Sequence, residues 1–259
     1  MGDWLDSSDA VAEQYADAEN LNARITLHEA YSTADRDFRS WQFDQFDCDS
    51  DARLLAVGCG PAELWEANAD RVPENCSVTL TDFSPGMVEE ARENVPSQSA
   101  TFSFRVADAS DLPFEDDSFD VMTANHMLYH VPNRAAAIRE LRRVLKPDGV
   151  LYATTNGDHH LGELFDVIET VLDVPTSHST GFTLENGREQ LERQFSDVEI
   201  RNYDDSLAVT AVEPLVAYAL SRNDVDDSAV DELHEAFQKR FEDGVFHVSK
   251  NTGLFVASG

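Results

Sequence analysis

Between residues 53 and 154 the sequence alternates short apolar runs with segments of helical periodicity, and this alternation constrains the fold more than any other feature. The apolar runs cover 53–57, 77–81, 102–106, 119–124 and 149–154. The helical segments between them cover 62–70, 86–94 and 134–145, and the last one stops at a Lys-Pro-Asp-Gly turn signal. Because parallel strands need a crossover that is usually a helix, the pattern predicts a parallel sheet covered by helices on both faces.

The segments outside this alternation are predicted to be mainly helical. Residues 9–47 read as polar helix, with Leu21, Ile25 and His28 on one face. After residue 157, helices are predicted at about 160–172, 186–195, 213–221 and 229–243, and strand-like segments near 197–212 and 245–257.

The charge of the chain is strongly negative. It carries 50 acidic and 19 basic residues, for a formal net charge of −31, and three of the basic residues are lysine. Self-repulsion of this size destabilises a compact state at low ionic strength, and molar salt screens it. Such a composition resembles that of cytoplasmic proteins of salt-accumulating halophiles.

The sequence lacks the basic stripe that nucleic-acid binding requires. The densest basic patch lies near the end of a predicted helix, where it complements the negative helix terminus. Its members are Arg139, Arg142, Arg143 and Lys146.

Neither targeting nor disulfide signals are found. The opening MGDWLDSSDA is acidic and lacks the apolar centre of a signal peptide, and no run approaches the ~18 apolar residues of a transmembrane helix. The cysteines Cys48, Cys59 and Cys76 are odd in number and lack metal-ligand spacing, so we expect no metal site. A soluble cytoplasmic protein is expected, built as one α/β domain with insertions or with a small cap.

A strand, a glycine turn and a helix follow one another in LLAVGCGPAELW, residues 54–65, which indicates a ligand over the turn. A dinucleotide pattern needs a third glycine where this chain has Glu63, whose carboxylate would repel a pyrophosphate. The Gly-Lys-Ser/Thr of a phosphate-binding loop does not follow either. A cationic, phosphate-free adenosine compound fits better. Asp82, Asp108 and Asn125 follow three further strands, at the sheet edge where such folds bind ligands.

Four blocks of the sequence, taken in this order, resemble the class I S-adenosylmethionine-dependent methyltransferases that act on small molecules. The blocks are LLAVGCGPAELW, LTDFSPGMVEEA (80–91), VADASDLPFEDDSFDVM (106–122), and NHMLYHV with the following ELRRVLKPDGVLYATTNG (140–157). The resemblance is strong over about 50–157 and looser over the rest of the chain.

This resemblance implies an α/β fold with a Rossmann-like, doubly wound, seven-stranded sheet, mostly parallel, with an antiparallel C-terminal edge strand. The last strands would come from SLAVT and HVSKNTGLFVAS. The methyltransferase domain would span 51–259, with helical cap insertions at about 160–195 and 213–243. Residues 1–50 would form a helical lid over cofactor and substrate, and the alternative is an amphipathic segment that simply packs on the core.

The resemblance also implies roles for residues at the strand ends. Gly58 and Gly60 would let the backbone pass under the methionine part of S-adenosylmethionine, and Asp82 would accept hydrogen bonds from the ribose hydroxyls. Asp82 and Asp108 could instead be ordinary turn and loop carboxylates. The implied cofactor-binding residues are Gly58, Cys59, Gly60, Asp82, Phe83, Met87, Asp108, Ala109 and Asn125. Within this set Phe83 would pack on the adenine, Asp108 would accept from its amino group, and Asn125 would lie with His126 beside the sulfonium.

Two positions depart from the family pattern. The acid that usually stands two residues before the first glycine, where it contacts the methionine amino group, is Ala56 here, and the third glycine is Ala62. These departures keep open a cofactor-binding protein with weak or no catalysis.

Methyl transfer needs a general base only if the nucleophile must lose a proton. The candidate catalytic residues are His126, His130, His28 and Tyr31, and Tyr15 and Tyr129 are further orienting candidates. Each histidine has a structural alternative as an ordinary hydrogen-bonding residue.

The sequence therefore predicts transfer of a methyl group from S-adenosylmethionine to a small molecule, with S-adenosylhomocysteine as the product. The alternatives are a non-catalytic or regulatory S-adenosylmethionine-binding protein and an RNA methyltransferase. Glu63 disfavours a nicotinamide oxidoreductase. No membrane partner is expected, and nucleic acid is disfavoured as a partner.

Overall fold

The computed structural model describes residues 18–47, 49–96, 101–173, 181–222 and 225–259. Tyr15, Cys48 and the acidic opening of the chain lie outside the described residues, as does part of the 1–50 segment. Within the described ranges, no helix is long and apolar enough to cross a bilayer. The chain divides into two compact units.

The larger unit, Arg36–Asn156, Thr180–Tyr203 and Gly253–Gly259, contains a seven-stranded sheet. The strands of the described residues are β1 (Arg53–Val57), β2 (Ser77–Asp82), β3 (Thr101–Val106), β4 (Phe119–Asn125), β5 (Leu145–Asn156), β6 (Asp197–Tyr203), β7 (Ser206–Val209), β8 (Phe246–Ser249) and β9 (Thr252–Ser258). The order in the sheet is β3-β2-β1-β4-β5-β9-β6. The sheet is mostly parallel with one antiparallel strand, which confirms the predicted Rossmann-like fold class. The C-terminal strand β9 lies between β5 and the edge strand β6.

Two apolar layers cover the sheet because side chains alternate between its faces. Along β1, Leu55 and Val57 belong to one buried cluster, and Leu54 and Ala56 belong to another. Burial on both faces is the reason that these strands read as continuous apolar runs in the sequence.

The helices of the described chain are α1 (Ala18–Tyr31), α2 (Phe38–Phe43), α3 (Glu63–Ala67), α4 (Pro85–Asn94), α5 (Arg134–Val144), α6 (Gly162–Leu172), α7 (Gly187–Leu191), α8 (Glu213–Leu220) and α9 (Val230–Gln238). Short 3₁₀ turns occur at Ala69–Arg71, Leu128–His130 and Asp227–Ala229. Most of these elements lie within a few residues of their predicted positions.

The N-terminal segment 9–47, predicted as one helical stretch, is interrupted between α1 and α2. Backbone hydrogen bonding redirects the chain there, since the Thr33 N–H donates to the Ser206 carbonyl at 2.9 Å. Asp37 then starts α2 as its N-cap, accepting from the Ser40 N–H at 2.9 Å. A side-chain acceptor at this position satisfies a helical N–H that would otherwise lack a partner.

Residues 146–149, where the sequence predicts a turn, belong to strand β5, and the strand pairing is irregular there. Phe119 pairs with Leu145, and pairing resumes at Val121 with Val150. Helix α5 ends at Val144, close to the predicted position.

The smaller unit, Met1–Asp35, Gly157–Ser179 and Asp204–Thr252, has its own apolar cluster. Strands β7 and β8, which contain the SLAV and FHVS segments, pair antiparallel there in a separate two-stranded sheet. The sequence resemblance suggested that SLAVT and HVSKNTGLFVAS form an antiparallel pair at the edge of the main sheet, whereas only the TGLFVAS part of them, β9, lies in that sheet. The apolar cluster of this unit fully buries Leu207, Val209 and Val248, which explains why the two strands pack in the smaller unit.

The strand order reverses between β1 and β4 in the larger unit. From β1 the chain proceeds to β2 and β3 on one side, and β4 and β5 lie on the other. A crevice at the carboxyl ends of two such strands is where open α/β sheets bind ligands. The fold therefore places the glycine turn after β1 and Asn125 at the end of β4 at this point.

Candidate cofactor-binding site

The turn between β1 and α3 requires glycine at two positions for different reasons. Gly58 and Gly60 adopt left-handed backbone conformations, with φ of +63° and +54°. A Cβ added to Gly58 would lie 2.7 Å from the Met127 Cβ, whereas one added to Gly60 would meet no atom within 4 Å. Gly58 is thus required by packing and conformation together, and Gly60 presents bare backbone to open space. Bare backbone of this kind allows a ligand to approach closely.

The Asp82 carboxylate joins this turn to the end of β2. One oxygen accepts from the Gly60 N–H at 2.9 Å, and the other accepts from the Ser84 N–H, also at 2.9 Å. A carboxylate offers about four acceptor positions. Two of them are used by these bonds, so the half-buried Asp82 can accept further hydrogen bonds from the hydroxyls of a ligand.

Two exposed apolar side chains flank the next strand ends. Phe83 is 62% exposed and Val106 is 46% exposed, and these are the exposed large hydrophobic residues of the described chain. They lie close together because Asp82 pairs with Val106 in the β2–β3 register. An apolar surface between polar strand ends suits the face of a flat heterocycle such as adenine.

The loop after β3 carries the remaining adenine-side candidates. Asp108 is exposed, and its Oδ1 accepts from the Ser110 N–H at 2.8 Å and from the Ser110 hydroxyl at 2.7 Å. Ala109 is buried, and Met87 is half-buried in the first turn of α4. Asp108 is therefore oriented by its own loop and retains acceptor positions toward solvent.

Asn125, at the end of β4, belongs to a polar chain that fixes its orientation. The His126 N–H donates to the Thr154 Oγ1 at 3.2 Å, and Thr154 Oγ1 donates to the Asn125 Oδ1 at 3.4 Å. The same Oδ1 accepts from the Gln42 Nε2 at 2.5 Å.

Helix α2 contributes residues that the sequence reasoning missed. Gln42 is 2% exposed and bonds to Asn125, and Arg39 pairs with Glu63 at 2.7 Å. The spacing Arg39-x-x-Gln42 after the N-cap Asp37 was the available signal, since residues three apart share a helix face. The Arg39 charge offsets part of the Glu63 charge, so repulsion by Glu63 argues less strongly against a phosphate ligand than the sequence indicated.

His126 and His130 both lie just beyond the end of β4. His126 adopts φ of +49°, and its ring centroid is 5.8 Å from that of Phe38 and 6.4 Å from that of Tyr129. The His130 ring is 4.4 Å from the Tyr129 ring. Both histidines are half-buried beside Asn125 in sequence, which keeps them as candidates for a proton acceptor.

The thiol of Cys59 is unsuited to nucleophilic chemistry. Burial raises its pKa well above the usual range, and the negative charge of Asp82 raises it further. Since the thiolate is the reactive form, Cys59 serves as a neutral part of the turn.

The other two catalytic candidates, His28 and Tyr31, belong to the smaller unit. The His28 ring stacks on His160, with centroids 6.0 Å apart, and meets Tyr218 edge-on at 6.3 Å. Tyr31 packs against that unit's apolar cluster. Their catalytic assignment stays a prediction.

The basic patch noted in the sequence is largely committed to internal bonds. Arg143 bonds to Glu140, Asp116 and two backbone carbonyls, and Arg142 donates to the Leu145 carbonyl at 3.0 Å. These contacts explain two of the arginines without a nucleic-acid partner.

The residues of this site fit S-adenosylmethionine. The bare Gly60 backbone allows a ligand to approach closely, and the remaining acceptor positions of Asp82 suit a ribose. Phe83 and Val106, which are exposed further along the strand ends, suit an adenine. Ala56 is the exception, because its methyl group cannot bind the methionine ammonium.

Comparison with known proteins agrees with this geometry. Residues 55–153 match the family model described as a methyltransferase domain. The chain is 34% identical over 117 residues to the ubiquinone/menaquinone biosynthesis C-methyltransferase UbiE of Geotalea daltonii, covering 44% of this chain and 50% of the relative. It is 36% identical over 152 residues to the ubiquinone biosynthesis O-methyltransferase of Xanthomonas oryzae, covering 58% and 59%. The chain thus spans between half and three-fifths of the length of these curated relatives.

A solved structure supports the fold. Haemonchus contortus phosphoethanolamine N-methyltransferase 2, in complex with S-adenosyl-L-methionine, superposes with a TM-score of 0.52 at 20% identity. The superposition covers 85% of this chain and 51% of that one.

Proposed function

We propose that this chain, whose residues 55–153 match a methyltransferase domain, is a class I enzyme that transfers a methyl group from S-adenosylmethionine to a small-molecule acceptor. The observation that carries the proposal is the Asp82 carboxylate, which ties the glycine turn to the end of β2 while keeping acceptor positions for ribose hydroxyls. The curated relatives covering this domain are named as methyltransferases, which supports the same reaction.

The cofactor supplies an electrophilic methyl group on a sulfonium. The protein holds it through the residues proposed from the resemblance: Gly58, Cys59 and Gly60 under the methionine part, Asp82 on the ribose, Phe83 and Met87 around the adenine, Asp108 and Ala109 at its edge, and Asn125 near the sulfonium. Methyl transfer then depends on holding the acceptor in line with the methyl group and excluding water. If the acceptor atom carries a proton, His126 or His130 accepts it.

The acceptor is proposed to be a planar aromatic compound of the quinone-precursor type. Rings of Phe38, Trp41 and Tyr203 form a cluster with centroids 5.1 to 5.8 Å apart, and Phe38 also contacts His126. Flat apolar surfaces of this kind favour stacking with an aromatic ring. The relatives named for ubiquinone and menaquinone biosynthesis support the same class, and their names include both carbon and oxygen methylation.

We also propose that residues 1–50 form a lid over cofactor and acceptor. The catalytic roles of His28 and Tyr31 depend on this lid. The cap segments at about 160–195 and 213–243 are included in it as the elements that would enclose the acceptor. Deleting residues 1–31 tests this role, because loss of a lid impairs turnover more than it impairs binding of S-adenosylhomocysteine.

Turnover tests the main proposal. The purified protein is incubated in molar KCl with S-adenosylmethionine and a panel of phenolic and quinol acceptors, and S-adenosylhomocysteine is quantified by mass spectrometry. We expect product with at least one phenolic acceptor and a sharply reduced rate in His126→Ala or His130→Ala, whichever residue is the base. Asp82→Ala serves as the cofactor-site control.

Ala56 favours a second candidate, a regulatory S-adenosylmethionine-binding protein. Such a protein would bind S-adenosylmethionine yet form no S-adenosylhomocysteine with any acceptor of the panel. An RNA methyltransferase is the third candidate, and the internal bonds of Arg142 and Arg143 weigh against it. RNA affinity in molar salt that is lost in an Arg139/Arg142/Arg143 triple variant would favour it.

A further inference from the structure

The methionine end of the cofactor needs a polar partner that β1 does not supply. Ala56 is 2% exposed and packs with Ala62 and Trp65 in the apolar layer beneath the sheet. An ammonium group that leaves water without an acceptor carries a large desolvation cost. A side-chain acceptor for the ammonium would therefore come from another element near the glycine turn.

Helix α2 is the element placed to provide it. Val57 pairs with Ala124, so the following residues Gly58 and Asn125 lie at the same level of neighbouring strands. Gln42 is bonded to Asn125 at this level.

A second contact joins the same face of α2 to the helix that follows the glycine turn. Arg39, one helical turn before Gln42, is bonded to Glu63 at the start of α3. Asn68 adds a bond from its side-chain amide to the Arg39 carbonyl at 3.3 Å. The face carrying Arg39 and Gln42 is thereby held on both sides of the glycine turn.

The polar chain through Thr154 determines how the Gln42 amide is oriented. The His126 N–H donates to the carbonyl and the hydroxyl of Thr154, and this hydroxyl in turn donates to the Asn125 Oδ1. The same oxygen accepts from the Gln42 Nε2, the donor group of that amide. Oε1, the acceptor atom of the amide, is consequently directed away from Asn125.

We propose that Gln42 is the cofactor-binding residue that replaces the missing acid of β1, with its Oε1 accepting a hydrogen bond from the α-ammonium group of the cofactor's methionine part. The inference rests on the proposed function. Because the Gln42 amide is neutral, the site has one negative charge fewer than it would have with a carboxylate at position 56. The Asp82 carboxylate, proposed to bind the ribose, remains.

Three ligands test this role by calorimetric titration in molar KCl. S-adenosylhomocysteine has both ammonium and carboxylate, decarboxylated S-adenosylhomocysteine keeps the ammonium alone, and 5′-methylthioadenosine has neither. For Gln42→Leu we expect affinity for the first two ligands to fall at least about tenfold, because a hydrogen bond to a charged group is lost. Affinity for 5′-methylthioadenosine should stay unchanged, which also shows that the variant is folded.

Gln45→Leu is the matched control. Gln45 lies three residues further along and donates to the Trp41 carbonyl at 2.9 Å, so its loss should leave all three affinities unchanged. Equal losses for all three ligands in Gln42→Leu would show a structural role and overturn the inference. So would an unchanged affinity for S-adenosylhomocysteine. If the unaltered protein binds none of the ligands, the proposed function itself fails and this inference fails with it.

Discussion

Replacing Asp82 by alanine is the most direct test of the cofactor site. The substitution removes both carboxylate oxygens, so the acceptor positions proposed for the ribose hydroxyls disappear. The Gly60 and Ser84 N–H groups also lose their partners at 2.9 Å, which loosens the glycine turn that the ligand contacts.

The expected loss of affinity follows from these contacts. A hydrogen bond to a charged group contributes about 1.5–3 kcal/mol, and about 1.4 kcal/mol corresponds to a tenfold change in affinity. One lost ribose bond thus weakens binding about tenfold, and two weaken it by about a hundredfold or more. We expect Asp82→Ala to bind S-adenosylmethionine and S-adenosylhomocysteine at least about tenfold more weakly.

The assay is calorimetric titration in molar KCl with S-adenosylmethionine, S-adenosylhomocysteine and NAD. Glu90→Ala is a matched control, because it removes one exposed carboxylate from α4 and changes the net charge by the same amount. Circular dichroism checks that both variants are folded. An unchanged affinity in folded Asp82→Ala would refute the site assignment, and NAD binding without S-adenosylhomocysteine binding would refute the cofactor.

Further predictions concern stability and reactivity. Gly58→Ala should lower the free energy of unfolding by about 2–4 kcal/mol in urea titrations, because the new Cβ would be 2.7 Å from the Met127 Cβ at a left-handed φ; a change below about 1 kcal/mol would contradict this packing. Asp205→Asn should lower it by about 3 kcal/mol or more at pH 7, since it removes the buried carboxylate that pairs with the Lys250 ammonium. Although burial acts to raise the Asp205 pKa, bonds from Lys250 and neighbouring groups hold this pKa below its ordinary value of 3.8. The stability difference between the protein and Asp205→Asn should therefore be constant at neutral pH and shrink as the pH falls through and below 3.8. A stability difference that persists undiminished in acid would argue against the ion pair. Cys59, whose pKa is raised chiefly by burial, should resist a thiol-reactive dye at pH 8 in the native protein and react in urea, as measured by peptide mass spectrometry; rapid native labelling would be inconsistent with the buried thiol. The melting temperature should rise between 0.1 and 2 M KCl (about 10 Å to about 2 Å of Debye length), and an unchanged value would oppose the halophilic interpretation of the −31 charge.

The main sheet could be predicted from the sequence because its signal is local. Each strand buried on both faces is a continuous apolar run, and each covering helix repeats its apolar residues every three or four positions. The chain order of these elements, together with the resemblance, was enough to predict a Rossmann-like fold with Gly58, Asp82 and Asn125 at strand ends. For this reason the glycine turn after β1 and the polar residues that end β2 and β4 could be selected from the amino-acid sequence alone.

The predictions that needed correction involve contacts between distant segments. The break between α1 and α2 depends on Thr33 meeting Ser206, and β7 and β8 pair in a separate sheet because their apolar faces are buried in the smaller unit. Neither contact leaves a periodic pattern in the local sequence.

The sequence by itself determined the parallel sheet, the glycine turn and the carboxylate at the end of β2, because backbone conformation and strand burial impose their residue types locally. Only the tertiary structure decided which side chains accompany them at the crevice. Gln42 reaches Asn125 across 83 positions of the chain, and Arg39 meets Glu63 across 24. A short helix acquires such contacts only when the folded sheet brings its partners within hydrogen-bond distance, and no local spacing encodes that distance.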